Sequence, residues 1–151
     1  MSSSTNDDLE AVRRRFARRH HLLGWCGLLL FLSLGVFLEA LHGFKTGFYL
    51  NLDQKVRREM WTLAHAHGTL LSLVNLIFAA GVTQFGSWTA VRLKLVSLFL
   101  LDAAVLIPVG FFLGGIGAGE TDPSLGILLV PLGAVLLFAA VALLIRSAWE
   151  R

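Results

Sequence analysis

The sequence predicts an all-α integral membrane protein: four transmembrane helices in an up-down-up-down bundle. Three observations carry this expectation. Of the 151 residues 56% are hydrophobic and only 15% are charged, too little charge to cover a soluble domain of this length. The charges are gathered at the N-terminus, in two short connectors and at the C-terminus. Between these clusters lie apolar stretches of about 20 residues or more, the length a helix needs to cross roughly 30 Å of hydrocarbon. The short segments of alternating polarity that a membrane β-barrel would require are missing.

Residues 1–20 form a basic N-terminal segment. Its polar start offers Ser4, Thr5, Asn6 or Asp7 as a helix cap, and Arg13, Arg14, Arg15, Arg18 and Arg19 follow. A basic run before an apolar stretch imitates a secretory signal peptide. Here the apolar part is long, and Glu39, Leu41 and His42 stand where small residues would mark cleavage. The stretch therefore reads as a retained first span, about 21–43. The arginines suit a surface helix, or more simply anchoring and contact with lipid headgroups. Cys26 is the only cysteine, which excludes an intrachain disulfide and a Cys-x-x-Cys site. Its apolar surroundings predict a buried thiol.

Residues 44–59 make an aromatic and charged connector, with Asn51 or Asp53 expected to cap the next helix. The second span covers about 60–83, a turn occupies 84–92, and the third span covers about 93–115. The stretch GGIGAGETDP ends that helix. Pro123 suits a first helical turn, and the fourth span runs over about 123–145. The transmembrane domain is thus 21–146, with a short tail at 147–151.

Orientation follows from Lys and Arg. The N-terminal cluster, Arg92, Lys94, Arg146 and Arg151 would share one side, and Lys45, Lys55, Arg57 and Arg58 the other. The richer side is expected to be cytoplasmic, so both termini lie inside a bacterial-type inner or plasma membrane. Trp61 on one side, and Trp88 and Trp149 on the other, fit interfacial belts. The net charge of +3 is explained by this anchoring, and nucleic acid is not an expected partner.

Polar residues within spans are costly and mark interior faces or function. On the second span His65, Thr69, Ser72 and Asn75 form one stripe at helical spacing. On the first, Gly24, Gly27, Phe31, Gly35, Glu39 and His42 share a face small enough for close approach. Glu39 and His42 lie one turn apart and can touch. Since the two spans are antiparallel neighbours, Glu39, His42 and His65 are expected to converge in the outer half of the membrane. His67, two residues from His65, points roughly 200° away on a helix of about 3.6 residues per turn. It is held in reserve as a ligand or as a contact for another subunit. On the third span Asp102 lies at a depth similar to Asn75. A hydrogen bond between them, or to Ser97, is one expectation, and a relay through Asp102 and Asn75 the other. Pro108 with Gly110, and Pro131 with Gly133, are expected to kink their helices at the histidine level and open a pocket. Gly110 and Gly114 suit plain helix packing equally well.

Two histidines from facing helices are what a b-type haem requires, and histidines with a carboxylate can hold copper or zinc. The bland alternative is that they bond to Glu39 or to backbone near the interface. No Gly-x-Ser-x-Gly, phosphate loop, dinucleotide fingerprint or His-Glu-x-x-His is present, so catalysis by the chain alone is not expected. Three functions therefore stand. The first is a haem b or metal-binding module for a membrane electron-transfer assembly, using Glu39, His42, His65 and His67. The second is a non-catalytic accessory subunit of a larger complex or homo-oligomer, in contact with lipid and other membrane subunits. The third is a small transporter or channel built on Asp102 and Asn75.

Overall fold

The computed structural model describes the backbone of residues 2–85 and 87–150, and side chains from residue 8 within those ranges. Helix α1 (Ser2–Gly43) is followed by a four-residue helix, α2 (Gly47–Leu50). A 3-10 turn (Leu52–Gln54) leads into α3 (Lys55–Gly81), and α4 (Ala90–Gly115) follows a short turn. A second 3-10 turn (Leu125–Leu128) leads into α5 (Leu129–Trp149). Helices α1, α3, α4 and α5 are long and apolar enough to cross a membrane, and no strand occurs among the described residues. The protein is an up-down-up-down bundle of four membrane helices.

The helices pack in chain order. Helix α3 lies between α1 and α4, α5 lies on the other side of α4, and α1 meets α4 only lightly. The bundle is consequently open along the α1–α4 line, with α3 as the floor. One end carries both termini and the α3–α4 turn. There Phe16 and Ala17 of α1 pack on Phe78, Val82, Trp88, Leu93 and Val96. The far end is filled by Leu38, Tyr49, Trp61 and Phe112.

Glycines set the closest approaches. A side-chain carbon at Gly24 would strike Leu76, one at Gly27 would strike Ser72, and one at Gly35 would strike the His65 ring. Gly68 of α3 receives Phe31 of α1 in return. The two stripes read from the sequence are therefore the two sides of one seam. The α4–α5 seam works likewise: Gly110 lies against Leu129 and Val130, Gly114 against Ile127, and Gly133 against Ile107.

Several expectations are corrected. The basic segment is the continuation of α1, not a separate surface helix. The caps proposed at residues 4–7 fall outside the described side chains. Neither Asn51 nor Asp53 caps α3, whose N-cap is Gln54 with no side-chain bond. The connector is held instead by Arg57 on the Phe48 and Gly115 carbonyls and Arg58 on those of Tyr49 and Leu50. Thr89 caps α4, its hydroxyl accepting from the Arg92 amide at 3.2 Å. Pro131 is the third residue of α5, where its missing N–H has no helical partner to lose, so it does not break that helix. Trp61 and Trp88 are not belt residues. Both are buried, with indole N–H groups donating to the carbonyls of Phe112 and Phe85. Cys26 is exposed, because its neighbours Gly24 and Gly27 take the face toward α3.

Candidate functional site

The first span turns Gly35, Leu38, Glu39 and His42 to one face, and α3 returns antiparallel with Thr62 and His65 opposite. With Tyr49 of α2 these residues line a cleft of about 450 Å³ at the far end. That size lies within the usual range for small-molecule and cofactor sites. Three of the four candidate ligands, Glu39, His42 and His65, are thus brought to one cleft. No residue of α4 or α5 lines it, so the Pro108 and Pro131 segments do not shape it.

His65 is the best-fixed member. Its Nδ1–H donates to the Phe31 carbonyl across the helix seam at 2.7 Å, and its ring lies over Gly35. A carbonyl can only accept, so the proton sits on Nδ1 and the Nε2 lone pair is left for a ligand. Nε2 has no hydrogen bond among the described residues. His42 is exposed and meets the Tyr49 ring edge-on at 5.4 Å. Tyr49 is buried and continues into a stack on Trp61 and Phe112, which backs the cleft. Glu39 and His42 share the cleft without an ion pair or hydrogen bond among the described residues.

His67 is not in this cleft. Its Nδ1–H donates to the Leu63 carbonyl at 2.9 Å, and its ring packs on Phe111 of α4 at 4.8 Å. Helix α4 covers the side of α3 that was expected to meet another subunit. Among the described residues no three His, Cys, Asp or Glu side chains come close enough to hold a metal ion.

A second polar site lies at the terminal end, on a residue the sequence reading passed over. His20 is fully buried. Its Nδ1 lies 2.6 Å from Asn75 Oδ1 and its Nε2 lies 2.8 Å from Ser97 Oγ. The Asn75 amide donates to the Leu71 carbonyl, so its oxygen faces the imidazole and accepts from Nδ1–H. Ser97 then donates to Nε2, and one neutral tautomer satisfies both ring nitrogens. Phe78 closes the site edge-on at 4.6 Å. The knot joins α1, α3 and α4.

The knot also overturns the pairing expected for Asp102. Asn75 and Ser97 are both committed to His20. Asp102 is half-buried and lines the same α1–α4 groove as Asn75 without bonding to it. The Thr69–Ser72 part of the α3 stripe likewise makes no interhelical bond. Ser72 donates to Gly68 of its own helix, and Thr69 Oγ1 is buried with no partner. His20 could have been found by extending the α1 stripe one turn before Gly24, since 20, 24, 27 and 31 follow helical spacing.

Comparison with protein-family models, curated proteins and solved structures finds no match to this chain.

Proposed function

We propose that the chain is a cofactor-binding membrane module whose far-end cleft takes a b-type haem through His65 and His42, in the service of a membrane electron-transfer assembly. The observation behind the proposal is His65, fixed by the Phe31 carbonyl, seated on Gly35, and presenting an unbonded Nε2 to a cleft that His42 also lines. A backbone acceptor on the second nitrogen is what orients a ligand histidine and raises its basicity. Two imidazoles suit haem, and the lack of a three-ligand group among the described residues favours haem over zinc or copper. Bound there, haem supplies a one-electron carrier. The charge bias of the connectors supports cytoplasmic termini in an inner or plasma membrane, and so an external cleft.

An optical spectrum of the protein in detergent tests the proposal, first air-oxidised and then reduced with dithionite. A Soret band that sharpens on reduction is expected, and His65→Ala and His42→Ala should each remove or strongly alter it in a folded protein. A flat spectrum from folded wild-type protein supplied with haemin would overturn it. The remaining reading would then be an accessory subunit, whose contacts lie on outward faces such as Leu29, Val36 and Phe138, all exposed.

A further inference from the structure

Helices α1 and α4 part at the terminal end, leaving a cleft of about 890 Å³ between them. Its rim carries Arg15, Arg18 and Arg19 from α1 and Lys94 from α4, and Leu22 and Leu98 line it with them. No acid lines it. All four cations are exposed, and none forms an ion pair among the described residues. Their neighbours differ: Arg14 is paired with Glu10, and Arg92 and Arg146 are both paired with Glu150. Three cations at this end are thus ion-paired, while Arg15, Arg18, Arg19 and Lys94 converge on one concavity. Like charges held together repel, and a bound anion relieves that repulsion.

The cleft continues into hydrocarbon. Arg19 also borders a second groove of about 490 Å³ between the same helices, lined by apolar side chains including Leu23, Leu30 and Val105. Cationic at the membrane surface and apolar below, the two together match a phospholipid with a negative headgroup. We infer that the α1–α4 cleft is a binding site for an anionic phospholipid. Its phosphate lies among Arg15, Arg18, Arg19 and Lys94, and an acyl chain follows the groove. Guanidinium forks suit phosphate oxygens, and Lys94 adds a point charge. Among the described residues Asp102 is the one acid lining the deeper groove, roughly 12 Å below Lys94 at about 1.5 Å of helical rise per residue. It lies at acyl-chain depth and leaves the phosphate to the basic rim. The inference does not depend on the haem proposal.

The test uses the full chain in mild detergent. Phosphatidylglycerol and phosphatidylcholine of the same acyl chains, and inorganic phosphate, are added separately. Bound lipid is counted by native mass spectrometry and the thermal midpoint is read. Phosphatidylglycerol should be retained and raise the midpoint, while phosphatidylcholine and inorganic phosphate should do neither. Arg15→Gln, Arg19→Gln and Lys94→Gln should each weaken retention by about fivefold, as expected for one interfacial charge. Lys45→Gln and Lys55→Gln at the far end should leave it unchanged. Equal retention of the two lipids would overturn the inference, as would an equal loss from the far-end substitutions. Stabilisation by inorganic phosphate alone would replace the lipid with a free anion. If an arginine variant fails to fold, the wild-type lipid comparison and exposed Lys94→Gln still decide.

Discussion

The seam between α1 and α3 carries two histidine sites built from the same parts and finished differently. At the terminal end His20 is sealed by Asn75, Ser97 and Phe78, and both ring nitrogens are bonded. At the far end His65 is bonded on one side only, and the cleft beside it is open. The difference is the third helix. Helix α4 supplies Ser97 to the first site, whereas none of its residues lines the second. A buried imidazole with every hydrogen bond made specifies how three helices meet. One held by a single bond beside a cavity keeps a ring nitrogen open, which the haem proposal uses for a ligand. The contrast gives His20 a place in holding the fold, and leaves His65 as the residue on which the haem proposal rests.

The largest effect expected on this contrast is from His20→Ala. The change empties a fully buried position and strands Asn75 Oδ1 and Ser97 Oγ, for a loss of about 2–4 kcal/mol of stability. Denaturant unfolding in detergent micelles measures it. His65→Ala gives up one part-buried bond to a carbonyl and should cost about 1 kcal/mol, and on the haem proposal it should also remove or strongly alter the spectrum. Reversed sensitivities would break the comparison, with His65→Ala unfolding the protein and His20→Ala leaving it stable. A sharper form replaces the whole knot: His20→Leu with Asn75→Leu and Ser97→Ala should recover part of the loss, because no polar group is then left stranded.

Much of this arrangement was legible in the sequence, and the failures have physical reasons. Four spans follow from hydrophobic length, and the seam follows from period: Gly27 and Gly35 on one helix, Ser72 and His65 on the next. The far-end cleft follows from those faces plus depth, which is why Glu39, His42 and His65 were found together. Tyr49 was missed because a four-residue helix has no period to read. His20 was missed because it follows Arg18 and Arg19, so the span was begun one residue too late. Asn75 was assigned to Asp102 because depth alone cannot choose among several partners, and the omitted His20 was the one that bonds it.

An intermediate effect, opposite in sign, is expected between the two sites. Thr69 lies on the same stripe of α3 as His65 and Ser72, and its hydroxyl is buried with no hydrogen bond. Thr69→Val keeps the shape and removes the orphaned group, so stability should rise by about 0.5–1 kcal/mol. An unchanged or lowered midpoint would mean that the hydroxyl has a partner such as water. The seam would then be wet between the closed knot and the open cleft.

The smallest effect concerns how the terminal end is latched, which the far end has no counterpart for among the described ion pairs. Glu150 accepts from Arg146 Nε at 2.7 Å and from Arg92 Nη1 at 2.6 Å, and Arg92 also donates to the Ser87 carbonyl. Hydrogen bonds from Arg146 and then Arg92 hold the Glu150 carboxyl below the usual glutamate range. A depressed carboxylate stabilises the fold above its unfolded value and loses that contribution as pH falls through the folded one. Glu150→Gln should therefore lower the thermal midpoint slightly at neutral pH, and the gap from wild type should close below about pH 4. The group is at the surface, so about 1 M salt should shrink the neutral-pH gap as well. A gap that persists in acid would show that Glu150 acts through packing rather than through its charge.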